Sequence, residues 1–302
     1  MPARFLTEAD VRAQLPMSRA VDAVREAFVA LAAGEFELPL RTALGDGRFL
    51  TMSARHAPSN TAVVKSVSVD FDRRPAVDGV VAFLGLGDTA VLTMPAEAVT
   101  ALRTGAVSGV ATDALASGDA RRLTLIGLGG QAADQLRAVR AVRPIEQVTL
   151  VARSSGSATD FAQRHARELA DVDVLCAERI EDAVAGADVI CCATPVTEPL
   201  FALAALPERV HVNAVGSFRP TMRELTDDLL ADATVVVDQR VAVLAEAGEI
   251  RHALDSGAVS EADLVELGAL LTDPVETAAR TVFKSVGLAI QDWAIGRALS
   301  RV

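Results

Sequence analysis

Cysteine is scarce in this chain. Only Cys176, Cys191 and Cys192 occur in 302 residues. The last two are adjacent in a strand-like run, where neighbouring side chains point to opposite faces. A disulfide framework is therefore not expected, and a reducing cytoplasm suits the chain. Histidine is equally sparse. His56, His165, His211 and His252 are scattered without metal-ligand spacing, so no metal site is expected. Each reads as structural or surface, although His56 falls in a loop near other polar candidates. Positive charge is short as well. There are 29 Lys and Arg residues against 40 Asp and Glu, a net charge of −11. That argues against nucleic-acid binding, which needs clustered cations for the phosphates. Local basic pockets for small anions remain open. No apolar run reaches about 18 residues without a charge or a Gly/Pro break, so no membrane-spanning helix is expected. Residues 1–10 have no apolar run behind a basic start, and no secretory signal is expected. Repeats and low-complexity segments are lacking too.

What is present is apolar and patterned. Hydrophobic residues make up 51% and charged residues 23%, enough for sizeable cores and against disorder. The length suggests two domains. Residues 7–33 read as helix: Thr7 caps, Val21, Val24, Ala27, Phe28 and Leu31 recur at helical spacing, and Gly34 stops it. Residues 38–92 hold short apolar runs parted by Gly, Asp, Asn and Pro, the pattern of an antiparallel sheet. Residues 95–117 return to helix. From residue 121 the rhythm is strand, turn, helix. Strands are expected at 123–126, 147–151, 172–176, 189–193, 210–215 and 234–237, with helices at 131–142 and 158–170. Such alternation predicts a Rossmann-like doubly wound parallel sheet. The fold class is therefore α/β, with an α+β domain in front. The expected boundaries are 1–118, rejoined by a strand and helix at 281–302, and 119–280.

Gly127-Leu128-Gly129-Gly130-Gln131-Ala132 follows a strand and opens a helix, the setting a dinucleotide fingerprint requires. Gly127 allows the tight turn, Gly129 and Gly130 let backbone approach a pyrophosphate, and Ala132 keeps the helix–strand contact small. The helix start offers N–H groups and a positive dipole end. The bland alternative is a plain strand–helix turn. After the second strand comes Arg153-Ser154-Ser155 rather than an acidic residue. An Arg with hydroxyls suits a 2′-phosphate, which points to NADPH, with NADH possible; the alternative for Arg153 is a solvated surface charge. Ala193-Thr194-Pro195 ends an apolar strand and Asn213 sits similarly. Both Thr194 and Asn213 suit either a cofactor-facing or a purely structural role.

Several segments together resemble the ornithine cyclodeaminase/mu-crystallin family. They are Val64-Lys65-Ser66-Val67, Ala101-Leu102-Arg103-Thr104-Gly105-Ala106, the Gly127 turn, Asn213-Ala214-Val215-Gly216-Ser217 with Arg223-Glu224-Leu225, and Phe283-Lys284-Ser285-Val286-Gly287 with Gln291-Asp292. They keep the family's order over nearly the whole chain. The resemblance implies a homodimer, an N-terminal substrate and dimerisation domain, and a nicotinamide-dependent oxidoreductase acting on amino acids or their imines. It also implies that Arg41, Lys65 and Arg103 face the substrate. Their chemistry agrees, since an imino acid needs an Arg clamp for its carboxylate and a proton donor near the C–N bond. The alternatives are a loop ion pair for Arg41, an outward strand residue for Lys65 and a helix-surface charge for Arg103. Thr104 suits close approach to the cofactor, or helix packing. Asp292 reads as a capping or pairing residue. The family's deaminating members carry an Asp after the Gly-rich turn, where this chain has Phe218. An apolar residue cannot hold an ammonium, so reduction of a preformed cyclic ketimine is expected, 1-pyrroline-2-carboxylate or 1-piperideine-2-carboxylate. The alternatives are an ornithine cyclodeaminase or alanine-type dehydrogenase, and a non-catalytic NADPH-binding crystallin-like protein.

Overall fold

The computed structural model describes residues 3–87 and 91–301. It resolves into two compact units, Met1–Val107 with Leu288–Val302, and Ser108–Gly287. The division therefore falls inside one helix, Ala96–Leu115, and not at residue 118. Gly105 and Gly109 flank that boundary, but the helix runs through both, so they do not mark a turn there.

In the first unit, the Thr7 hydroxyl accepts from the Asp10 N–H while the Asp10 carboxylate accepts from the Thr7 N–H. This capping box starts the helix Glu8–Gln14. The single helix expected over 7–33 is in fact two, because Leu15-Pro16 interrupts it before Met17–Ala32. Proline lacks the N–H that would continue the ladder. Seven strands follow the antiparallel reading: β1 Arg4–Phe5, β2 Phe36–Glu37, β3 Thr42–Leu44, β4 Phe49–His56, β5 Thr61–Val69, β6 Val77–Gly85 and β7 Val91–Pro95. Their order is β1-β7-β6-β5-β4-β2 with β3 on β4, and only the β1–β7 pairing is parallel.

Alternation along β5 puts Val63, Lys65, Val67 and Val69 on one face and Val64 on the other. The C-terminal helix, Ala289–Ser300, packs on β4, β5 and β6 and on Met17–Ala32. It comes close because of Gly296, where a Cβ would lie 2.8 Å from the Phe83 ring. Asp292 sits one turn earlier on the same helical face. A tilted aromatic group of Phe36, His56 and Trp293 packs beside it, and the Trp293 indole donates to Thr61 Oγ1 at 2.8 Å.

The second unit carries eight parallel strands: β8 Arg122–Ile126, β9 Gln147–Val151, β10 Asp173–Ala177, β11 Val189–Cys192, β12 Val210–Ala214, β13 Thr234–Val237, β14 Leu264–Glu266 and β15 Arg280–Lys284. Their order is β10-β9-β8-β11-β12-β15-β13-β14. The chain reverses direction across the sheet between β8 and β11, the switch point of a doubly wound fold. Leu123, Leu125, Val148 and Leu150 pack with Leu136 and Val139 of the helix Ala132–Val142 and Phe161 of the helix Ser155–Arg164. Arg143 donates to the carbonyls of Thr112, Asp113 and Ala116, closing the C-terminal end of Ala96–Leu115. β15 lies between β12 and β13, so the strand at 280–284 belongs to this sheet while the helix after it belongs to the first unit. No helix among the described residues is long and apolar enough to cross a membrane.

Candidate active site

In the first unit, the apolar face of β5 carries one ammonium. Lys65 is 2% exposed, and its Nζ donates to Thr100 Oγ1 at 2.6 Å and to Asp292 Oδ1 at 3.1 Å. Thr100 is free to accept because its hydroxyl hydrogen goes to the Ala96 carbonyl at 2.5 Å, a back-bond within the helix. Arg103, one turn further along that helix, donates to Gln291 Oε1 at 2.7 Å, and its Nε lies 3.7 Å from Asp292 Oδ1. Burial pushes the Lys65 ammonium down to about 8; Asp292 opposes the shift, and Arg103 and Arg41 add to it. Lys65 thus feels the positive charges of Arg103 and Arg41 and, among the described residues, the opposing carboxylate of Asp292. An ammonium has three donors. Two are used, and no acceptor among the described residues takes the third.

Thr104 is buried beside Arg103. His56 is engaged internally, with Nε2 3.0 Å from Glu35 Oε2 and Nδ1 2.7 Å from Ser59 Oγ.

In the second unit, β8 runs straight into the glycine turn. Gly127 has φ +91, and a Cβ there would lie 2.6 Å from the Ala193 carbonyl oxygen, so only glycine fits. Gly129 and Gly130 differ: a Cβ at either would meet no protein atom within 4 Å. Nothing in the protein requires glycine at these two positions. The N–H groups of Gly129, Gly130 and Gln131 have no protein acceptor among the described residues, and Gln131 Oε1 is buried without a partner. Ala132 is buried against the sheet. Open glycines and unused N–H groups at a helix start fit a dinucleotide pyrophosphate. Register puts the end of β9 beside the end of β8, with Ile126 opposite Val151 and the Gly127 N–H donating to the Val151 carbonyl at 3.1 Å. Arg153 is exposed two residues further on, and Ser154 caps the next helix, its hydroxyl accepting from the Ser157 N–H.

Thr194 and Asn213 are both tied into the unit. Thr194 donates to Glu224 Oε1 through its N–H (2.8 Å) and its hydroxyl (2.7 Å). Asn213 is fully buried; its amide donates to Thr112 Oγ1 at 2.9 Å, and its oxygen faces His211 Nε2 at 3.2 Å. Burial pushes His211 down to about 4. For the Asn213 side chain this favours the structural alternative, because its hydrogen bonds are spent inside the protein. Glu224, read only as part of a motif, turns out to join two turns: Oε2 accepts from the Gly216 and Ser217 N–H groups at 2.8 and 3.3 Å. Below that turn, Lys284 donates to Ser217 O and Oγ, both at 2.6 Å, and lies 3.1 Å from Glu249 Oε1.

The scarcity of lysine is itself a signal for these sites. Of 29 basic residues only two, Lys65 and Lys284, are lysines, and both are buried. Arg serves every other position, so each lysine marks a place that needs a compact ammonium.

An eight-stranded parallel sheet with a switch-point glycine turn, together with a separate α+β unit holding a buried cationic cluster, defines a dinucleotide-binding protein of the α/β class. The model of the ornithine cyclodeaminase/mu-crystallin family matches residues 1–300. The chain belongs to that family. It is 40% identical over 209 residues to a Delta(1)-pyrroline-2-carboxylate reductase of Bacillus cereus (strain ATCC 10987 / NRS 248), covering 67% of this chain and 63% of that protein. Ketimine reductase mu-crystallin of Mus musculus is 34% identical over 202 residues, 66% of this chain and 61% of that protein. The matches thus span less than two thirds of these curated relatives. Among solved structures, Thermococcus litoralis Delta(1)-pyrroline-2-carboxylate reductase in complex with NADH and L-proline superposes with TM-score 0.92 at 29% identity, covering 99% of this chain and 96% of that one. An archaeal alanine dehydrogenase dimer with bound NAD gives 0.89 at 27%, covering 100% and 96%.

Proposed function

We propose that this protein is a cytoplasmic NADPH-dependent reductase of a small cyclic imino acid, 1-pyrroline-2-carboxylate or 1-piperideine-2-carboxylate, giving proline or pipecolate. NADH is the second cofactor it would accept. The observation that carries the reading is the third N–H of Lys65, left over from an ammonium whose other two are held by Thr100 and Asp292. Family relatives that reduce pyrroline-2-carboxylate and ketimines support it, as does the proline held by a structural neighbour.

Arg41 and Arg103 bind the substrate carboxylate, the group a guanidinium fork matches. Lys65 gives its proton to the imine nitrogen as the C=N bond becomes CH–NH, and the neutral amine left behind regains a proton from water. A reduced nicotinamide, when bound, supplies the hydride to the imine carbon. Gly129, Gly130 and Gln131 hold its pyrophosphate, and Ala132 lets the helix sit close. Arg153 and Ser154 select the 2′-phosphate, and Thr194, held by Glu224, shapes the turn beside Gly127. Phe218 follows the turn at Gly216-Ser217 and has no charge to hold a substrate ammonium, which favours the imine over the free amino acid.

The protein works as a homodimer in this reading. Leu44, Phe49, Val64 and Val80 are 56%, 41%, 41% and 40% exposed on the sheet face opposite Lys65, an apolar patch suited to a second copy.

A panel of cyclic imines and amino acids, followed by NADPH and NADH oxidation or reduction, tests the function. Imine-dependent NADPH oxidation is expected. Ammonia release from ornithine would overturn it in favour of cyclodeamination, and tight NADPH binding without turnover in favour of a binding protein. Light scattering should report a dimer.

A further inference from the structure

Asp292 has no part in the reaction as proposed above, yet it is the most unusual carboxylate in the first unit. It is fully buried. Its Oδ1 serves two cations, Lys65 Nζ at 3.1 Å and Arg103 Nε at 3.7 Å, while its Oδ2 has no hydrogen-bond partner. The neighbouring Gln291 repeats the pattern. Its Oε1 accepts from Arg103 at 2.7 Å, and its Nε2 has no partner. Burying a carboxylate costs several kcal/mol even after relaxation, and leaving half its acceptor capacity unused adds to that. A purely structural pair would be expected to satisfy both oxygens. Here one side of the carboxylate is committed to orienting two cations at the expense of the other.

Backbone packing explains how the carboxylate gets there. Gly296 lets the C-terminal helix close on Phe83, and Asp292, four residues earlier, shares that face. Thr100 and Asp292 approach Lys65 from two different helices, and β5 supplies the lysine from below. Two acceptors from two directions fix the ammonium about its last bond, which leaves the third N–H with one orientation.

We propose that Asp292 is a positioning residue for imine reduction: it holds the Lys65 ammonium and the Arg103 guanidinium as one unit and keeps Lys65 protonated while its third N–H is directed to the substrate. This rests on the reductase reading. The charged groups facing Lys65 are Asp292, Arg103 and Arg41, and the same sheet face carries His56, which is paired with Glu35. Among the described residues, Asp292 is therefore the one negative charge acting on Lys65, against two positive ones. Removing it destabilises the ammonium and lowers the pH at which Lys65 loses its proton.

The chain has two lysines, so protein labelled with 13C at lysine Cε gives two lysine resonances. The one that vanishes in Lys65→Ala is Lys65. Its titration midpoint is expected near pH 8 in the native protein. In Asp292→Asn it should fall by about 1 unit, the size expected for losing one close opposite charge. The basic limb of kcat/KM for imine reduction should move down with it, with kcat reduced more than KM is raised. Asp292→Glu, which retains the charge but displaces it by one methylene, should keep the midpoint near that of the native protein and lower kcat more than it raises KM, a split that carries the test if the Asn variant does not fold. A Lys65 midpoint unmoved in Asp292→Asn, or a kcat unmoved in Asp292→Glu, overturns the proposal. A midpoint that shifts in a protein that reduces no imine would leave Asp292 as the holder of Lys65 and remove the reductase reading instead.

Discussion

Lys65 in the first unit and Lys284 in the second are each buried against a carboxylate, Asp292 and Glu249, at the same 3.1 Å. Each also donates to a hydroxyl at 2.6 Å, Thr100 for Lys65 and Ser217 for Lys284, and beyond that their surroundings differ. Lys284 is surrounded by acceptors, the backbone and hydroxyl oxygens of Ser217 as well as Glu249, whose own carboxylate takes the Ser217 hydroxyl at 2.7 and 2.5 Å. Lys65 has two acceptors, two cationic neighbours and a donor to spare. The comparison shows that burial of a charge does not by itself mark function. An ammonium ringed by three oxygens is a bolt, and in the proposed reading one with two acceptors in a positive field is a reagent waiting for an anion.

The largest effects come as a pair that would break this contrast if they failed to separate. Lys65→Ala should lower kcat/KM for the imine about 10²- to 10⁴-fold, the range for loss of a positioned proton donor, and should cost less in urea unfolding than loss of Lys284, because Arg103 still faces the buried Asp292. Lys284→Met should do the reverse in kind. It leaves Glu249 buried and uncompensated, and unfolding titration should show a loss of about 3–5 kcal/mol. Equal destabilisation by both would mean that Lys65 is a bolt as well.

Acid–base behaviour sharpens the same point. Burial depresses Lys65 to about 8, and in the proposed reaction its protonated form is the active one. Imine reduction should therefore be flat below about pH 7 and fall about tenfold per unit above the Lys65 midpoint, where the proton is lost. A rate that rises with pH through this region would assign the wrong protonation state.

On the cofactor side the expected effects are smaller. Arg153→Ala should weaken NADPH about tenfold, matching the ~1.5 kcal/mol of one hydrogen bond to a charged group, and leave NADH nearly unchanged. Equal losses for both cofactors would make Arg153 a general surface charge. Gly129→Ala should barely alter stability, within about 0.5 kcal/mol, since an added methyl meets open space. It should still raise the cofactor Kd. Unchanged affinity would remove the glycine turn from the pyrophosphate site.

Much of this was legible along the chain, for identifiable reasons. The alternation from residue 121 and the capping signal at Thr7 are local, and the strands and helices they predict are present. Pro16 was legible too, but the apolar spacing on either side masked the break. The strand Leu264–Glu266 is three residues long and leaves no periodic signature. Of the site, the glycine turn and Lys65 stood out because each is a local anomaly, glycines where a helix begins and a lysine among valines. Glu224 and Asp292 did not. One is in an ordinary loop and the other on an ordinary helix, and their chemistry comes from partners 30 and 227 residues away.

The sequence by itself determined the class of sheet, the cofactor turn and the family, because periodicity, glycine placement and short motifs act over a few neighbouring residues. Only the tertiary structure decided that the strand at 280–284 slots between β12 and β13, and that the helix after it returns an acid to Lys65. It alone also separated the two lysines. Whether a buried ammonium is saturated depends on acceptors brought from distant parts of the chain, and no local pattern encodes their meeting.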